Sequence, residues 1–256
     1  APAVDVNAAC SGFVYGLNLA NAMVSSGSAN RVLLIGAEKF SPLLDLEDRS
    51  TAVLFGDGAG AVVLEATAGR DGVLSAMLGT DGRLAKILTV PGSGTEDPDP
   101  EEINGRIYMD GREVFRNAVV QMGEAAGKVI ADAGLDLGDV DILIPHQANE
   151  RIIDAIARRM KLSPDKVFIN IASYGNTSAA SIPIALTEAL AEGRVAPGAV
   201  VAFVAFGGGL TWGAAALRWG DRVDPIASSD AALPPTDKTG LDLVLERQKM
   251  HVRGLL

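Results

Sequence analysis

The sequence predicts a layered α/β protein built from two related halves. Three observations carry that prediction. Short β-rich runs alternate with segments of helical periodicity along most of the chain. Small residues abound, with 29 glycines and only 5% aromatics beside a hydrophobic fraction of 48%, a composition that lets backbones approach closely. The block FGDGAGAVVL (55–64) also resembles FGGGLTWGAAAL (206–217), and each follows a strand–helix unit, beginning near Val4 and near Val167. Such duplication places a site where the halves meet, with residues drawn from equivalent strand-to-helix turns.

The elements follow in order. VDVNA (4–8) reads as a strand, Ser11 to Val24 as an apolar helix broken at SSG (25–27), and RVLLIGAE (31–38) and AVLFGDGAGAVVLEA (52–66) as strands. Together they read as βαβ with covered parallel strands. From Arg112 to Ala133 the apolar residues Val114, Ala118, Met122, Ala125, Val129 and Ala133 mark one buried helix face, stopped by Gly134. DILIP (141–145) is a strand, and a helix runs from about Asn149 to Lys161 with Ile152, Ile153, Ile156 and Met160 inward. VFINIAS (167–173) reads as a further strand. A small-residue helix spans about Thr177 to Glu192, with Pro183 inside its first turns, and VVAFVAF (200–206) and TWGAAALRW (211–219) are strands. The acidic, Pro-rich stretch 92–102 is a solvated excursion. From Gly220 the chain turns polar, before LDLVLERQKMHVRGLL (241–256) offers a short amphipathic helix of no assigned function.

Composition excludes several classes. At 256 residues the chain can bury a full core, which rules out disorder. Its net charge of −10 argues against nucleic acid or an anionic membrane as general partners, so an anionic partner must meet a local patch. The longest apolar stretch, 199–206, is far short of the roughly 20 residues that cross a bilayer, and the N-terminus lacks the basic start and apolar middle of a signal peptide. One cysteine, Cys10, excludes an internal disulfide and fits a cytoplasmic setting; with His146 and His251 the only histidines, no metal centre is expected.

Three turns carry chemistry-bearing residues. Cys10 follows a predicted strand and opens a helix, where the dipole and free N–H groups favour a thiolate; a buried structural cysteine is the equal alternative. His146 closes DILIP at a strand's C-terminal edge, and Asn176 occupies the next strand-to-helix turn. Alone, each has an ordinary reading, as a surface histidine and as an N-cap. Together, a Cys, a His and an Asn at equivalent turns are poorly explained by three separate accidents. The Gly-rich blocks precede strands rather than helices, so they are not phosphate loops; they serve close packing, and the second could present N–H groups to an oxyanion. Arg151, Arg158, Arg159 and Lys161 against Glu150 and Asp154 leave a local excess of +2, a solvated helix face or a docking patch.

The motifs DVNAACSGF, DRSTAVLFGDGAGAVVLEA, MDGREVF, PHQANERII, YGNTSAASIPIAL and AFGGGLTWGAAALRW, in this order, resemble the β-ketoacyl-acyl carrier protein synthase III family, from residue 1 to about Trp219. These initiating condensing enzymes have a thiolase-like fold of duplicated βαβαβ halves in α/β/α/β/α layers. The resemblance implies a partial first half over 1–66, a second half over 67–219 and a polar tail over 220–256. It implies that Cys10 takes an acyl primer from acyl-CoA and that His146 and Asn176 hold the thioester carbonyl of malonyl-acyl carrier protein during decarboxylation. Cys10 and Gly208 N–H groups would form the oxyanion hole. Arg49, Gly111, Phe115, Asn149 and Arg151 match the CoA and pantetheine channel, and Arg116, Arg151, Arg158 and Arg159 the surface that receives the acidic carrier protein. A homodimer without cofactor is implied, CoA and the phosphopantetheine arm acting as substrates.

Composition sharpens this further. A degradative thiolase needs a second cysteine, and elongating synthases use a second histidine where Asn176 stands. The family also carries a strand–helix–strand–helix segment before the position of Ala1, so the resemblance implies a fragment of a longer enzyme whose first sheet has a gap and unpaired edges. A noncatalytic remnant or assembly subunit is the alternative, against which Cys10 argues.

Overall fold

The computed structural model describes residues 1–92, 105–232 and 234–252. The acidic stretch read over 92–102 lies outside the described residues from position 93 onward. In chain order the elements are α1 (Gly12–Ser25), β1 (Arg31–Glu38), β2 (Gly58–Glu65), β3 (Gly72–Thr80), β4 (Leu88–Thr89), β5 (Tyr108–Met109) and α2 (Gly111–Asp132). They continue with β6 (Ile142–Pro145), α3 (Glu150–Arg159), α4 (Ile171–Tyr174), α5 (Ser181–Ala191), β7 (Val200–Gly207), β8 (Thr211–Arg218) and α6 (Gly240–Val252).

The central sheet has the order β3-β8-β7-β6. Strand β7 is buried along its whole length because helices cover both faces, which is why its sequence is a continuous apolar run. Strand alternation divides it: Val200, Ala202, Val204 and Phe206 meet the α2 and α3 residues Ala118, Met122, Ile153 and Ile156. Val201, Phe203 and Ala205 meet Phe13, Val14 and Leu17 of α1 and Ile182, Ala185 and Leu186 of α5. Each fully buried side chain of this size contributes about 1.5–3 kcal/mol. The β1–β2 pair lies on the far side of α1 and α5, contributing Leu34, Val62 and Leu64 to the same core. Gly36 permits that approach, since a Cβ there would stand 2.5 Å from the carbonyl oxygen of Ala179.

Four layers therefore stack as α/β/α/β. Among the described residues the outer face of β1–β2 has no fifth layer, and Leu33, Ile35 and Val63 are exposed on it. The strand expected at 4–8 is absent: these residues belong to no strand or helix, and Val4 and Val6 are exposed. The parallel βαβ reading is also corrected. β1 and β2 pair antiparallel, and only β6 and β7 among the named strands run parallel.

The strand expected at 167–173 reduces to a single bridge between Val167 and Leu143, after which the chain turns into α4. Gln147 is the cause. Its buried Nε2 donates to the carbonyls of Pro145 (2.9 Å) and Phe168 (3.2 Å), and its Oε1 accepts from Asn170 N–H (3.0 Å), replacing a strand partner. Pro183 is tolerated because a 3-10 turn precedes α5, leaving it third in the α-helix where an N–H would have no partner. Strand β3 was not expected. The tail helix α6 forms as expected and packs against Ser41–Leu43. No described helix is long and apolar enough to cross a membrane.

Candidate active site

Cys10 sits in a 3-10 turn, Ala9–Ser11, that feeds directly into α1. The turn is tied to β8: Thr211 Oγ1 donates to Ala8 O at 2.8 Å and Ser11 Oγ donates to Thr211 O at 3.1 Å. Gly207 allows the approach, because a Cβ at that position would lie 2.7 Å from Cys10 N. Ala9, immediately before the cysteine, holds φ +47°, a conformation that costs a non-glycine residue about 1–3 kcal/mol. Burial pushes the Cys10 thiol up to about 11, with the Glu38 carboxylate adding to the rise and a Ser178 hydroxyl bond opposing it. Of the two influences on Cys10, desolvation by burial outweighs the helix-terminal position and favours the protonated thiol.

His146 directly follows β6 and is 1% exposed. Its backbone N–H donates to Val204 O at 2.8 Å, and its Nδ1 lies 2.7 Å from Ser181 Oγ at the start of α5. Burial lowers its pKa to about 4, so the imidazole is neutral at pH 7. Asn176 is clamped against the segment that leads into β2. Its N–H donates to Leu54 O (2.7 Å) and its carbonyl accepts from Gly56 N–H (3.0 Å). The glycines of 56–60 pack against this turn and α5, which is the close approach expected of them. The Asn176 Oδ1 accepts from Ser178 N–H at 2.9 Å, leaving the amide nitrogen for other partners.

The three side chains meet at one place. Cys10, His146 and Asn176 all line a cavity of about 250 Å³, together with Phe55, Leu88, Met109 and Phe206. A second, larger cavity of about 810 Å³ shares Cys10, Phe55 and Leu88 and adds Glu38, Phe40, Ile107, Ser178 and Gly208. Cys10 therefore stands at the junction of two chambers, one carrying the His146 and Asn176 side chains and the other Glu38 and Ser178.

Comparison with known proteins decides the family. The model of 3-oxoacyl-[acyl-carrier-protein] synthase III matches residues 4–82, and the model of its C-terminal part matches 130–219. A β-ketoacyl-[acyl-carrier-protein] synthase III of Vibrio cholerae is 47% identical over 256 residues, covering 98% of this chain and 71% of its own. The chain belongs to the β-ketoacyl-[acyl-carrier-protein] synthase III family. The synthase III structure from Thermus thermophilus superposes with a TM-score of 0.81 at 46% identity, covering 86% of this chain and 68% of that one. The priming β-ketosynthase of the R1128 polyketide pathway gives 0.79 at 36% identity, over 85% and 65%.

In this synthase III chain the other expected positions divide. Gly111, Phe115 and Asn149 line the cavity of Cys10, His146 and Asn176. Asn149 also caps α3, accepting from Arg151 N–H at 2.9 Å. Arg49 and Arg151 are exposed and lie outside both cavity linings. Gly208 lines the larger cavity, beside Cys10. Arg116, Arg151, Arg158 and Arg159 are all exposed; Arg116 pairs with Glu113 (2.6 Å), and Arg159 reaches Glu124 (3.3 Å) while covering Gly123. Sequence reasoning missed Glu38, Ser178 and Ser181. Ser178 bonds Glu38 at 3.3 Å from a left-handed backbone, φ +51°, and its position two residues after Asn176 is the one signal that pointed to it. Among the described residues no group of three or more His, Cys, Asp and Glu is placed to hold a metal ion.

Proposed function

We propose that the chain performs the decarboxylative Claisen condensation of an acyl-CoA primer with malonyl-acyl carrier protein, the opening step of type II fatty acid synthesis. The observation that carries this reading is the convergence of Cys10, His146 and Asn176 on one cavity. The Cys10 sulfur attacks the acyl-CoA thioester, its proton leaves on the departing CoA sulfur, and an acyl thioester remains on the enzyme. The N–H groups of Cys10 and Gly208 hold the tetrahedral oxyanion. Malonyl-acyl carrier protein then loses CO2, and the resulting enolate oxygen is held by one imidazole N–H of His146 and the Asn176 amide. The enolate carbon attacks the acyl carbonyl, the C–S bond to Cys10 breaks, and the sulfur takes up a proton. The product is a 3-oxoacyl carrier protein.

A buried imidazole with a pKa near 4 is a poor base but a permanently neutral donor, which suits it to an enolate rather than to thiol deprotonation. The steps involve no net oxidation and call for no cofactor. The 810 Å³ cavity supplies space for the primer's acyl chain, while Gly111, Phe115 and Asn149 flank the pantetheine arm; Arg49 and Arg151, outside both linings, are assigned to CoA by the family resemblance. Two related halves, 1–66 and 67–219, acting in a cytoplasmic homodimer, complete the proposal. Retention of all three groups about one cavity favours an enzyme over a noncatalytic remnant. The test is direct: acyl-CoA and malonyl-acyl carrier protein supplied together should yield 3-oxoacyl carrier protein and one CO2 per product, and no product would overturn the reading.

Arg116, Arg151, Arg158 and Arg159 form the proposed carrier-protein surface. Arg158 and Arg151, which make no ion pair among the described residues, are the more available of the four. Reversing Arg158 and Arg159, neither of which is assigned to CoA, to Glu should raise KM for malonyl-acyl carrier protein about tenfold or more at low salt while leaving acylation by acyl-CoA within about twofold. Equal effects on the two substrates, or none, would remove the docking role.

A further inference from the structure

We propose that Ser181 decides which nitrogen of His146 carries the proton, keeping Nδ1 bare and turning Nε2–H toward the cavity. Ser181 is 2% exposed, and its Oγ has two polar partners among the described residues: His146 Nδ1 at 2.7 Å and the backbone N–H of Gln147 at 3.3 Å. A hydroxyl has one proton to give and two lone pairs to offer. Gln147 N–H can only donate, so it takes one lone pair. Its direction is fixed, because the Gln147 side chain is itself held by Pro145, Phe168 and Asn170.

Two arrangements remain for the imidazole. If Nδ1 carried the hydrogen it would occupy the second lone pair, and the serine proton would be left buried without an acceptor. If Nδ1 is bare, the serine proton goes to it and every group is satisfied. The difference favours the second arrangement about tenfold or more. Position within the fold adds to this. Ser181 is the first residue of the 11-residue helix α5, whose positive end favours a lone pair over an N–H pointing into it. The low pKa of His146 keeps the ring neutral, so the tautomer question is real at pH 7.

The consequence is that His146 Nε2–H and the Asn176 amide, whose Oδ1 is already engaged by Ser178 N–H, offer donors to one cavity. Ser181 touches no reacting atom and acts through His146; it is a positioning residue. Its effect on decarboxylation rests on the proposed function, whereas the tautomer itself does not.

The chain suits a direct measurement because it contains only two histidines, His146 and His251. Protein labelled with 15N-histidine should show, for His146, a protonated Nε2 and an unprotonated Nδ1, with H251Q making the assignment. In S181A the Nδ1 resonance should move as it loses its donor and the Nδ1–H form should gain population, while S181T should restore the wild-type pattern. S181A should lower kcat for condensation about tenfold or more and leave acylation of Cys10 unchanged. A protonated Nδ1 in wild type or S181T overturns the proposal, even if S181A fails to fold. So does an S181A spectrum that coincides with wild type, whereas a shifted tautomer with undiminished condensation would contradict the donor role given to His146 Nε2–H in the proposed function. The predicted tautomer in a protein that forms no 3-oxoacyl product sinks the proposed function and leaves the role of Ser181 standing.

Discussion

Cys10→Ala should abolish transfer of the acyl group from radiolabelled short acyl-CoA to the protein. No other side chain can replace it, since the chain contains a single cysteine. The substitution removes one sulfur from a turn held by Thr211 and Ser11, so the fold should persist and the loss reads out chemistry. The thiol pKa near 11 adds a signature. Unfolded, such a thiol ionises near 9; buried, it stays protonated until higher pH, so acylation of the wild type should still be rising with pH beyond 8. Labelling that survives in the variant, or a rate that levels off below neutral pH, would contradict the assignment.

His146→Ala should separate the two half-reactions. Acylation of Cys10 needs neither nitrogen of the ring and should fall by no more than a few-fold. Decarboxylative condensation should fall by about 10²–10³-fold, the usual loss when one pre-organised donor to an oxyanion is removed. Removing the ring also leaves the Ser181 hydroxyl proton without its buried acceptor, so thermal unfolding of the variant should be measured alongside. Acylation and condensation lost in equal measure would contradict a role confined to the enolate.

Much of this arrangement was legible before any coordinates. The turns bearing Cys10, His146 and Asn176 are marked by the change from β-like to helical patterns, and those changes fall within a few residues of the observed boundaries of α1, α3 and α5. What local pattern does not encode is strand direction. The run 31–38 looks the same whether its neighbour is parallel or antiparallel, and its actual partner β2 is antiparallel. Nor does it encode replacement of a strand by a side chain: VFINIAS has the β-branched composition of a strand, but Gln147 captures Phe168 and Asn170 first. The balance between thiolate and buried thiol at Cys10 was hidden for a related reason. Helix-terminal position is visible in sequence; complete burial, supplied by distant segments such as Gly207 and Ser178, is not. Ser181 was hidden because its importance lies in facing His146 across 35 positions of chain. The tail helix was announced by its apolar run, yet its start, where Thr239 and Asp242 cap one another, went unread.

The proposed reaction divides the labour within one cavity: sulfur for acyl transfer, imidazole and carboxamide for the enolate. It is tested most directly by CO2 release from malonyl-acyl carrier protein in Cys10→Ala, compared with Cys10→Ala/His146→Ala. The single variant should release CO2 without forming a condensation product, and the double variant should release about a hundredfold less. Equal release from both, or none from the single variant, would show that His146 does not act on the malonyl group.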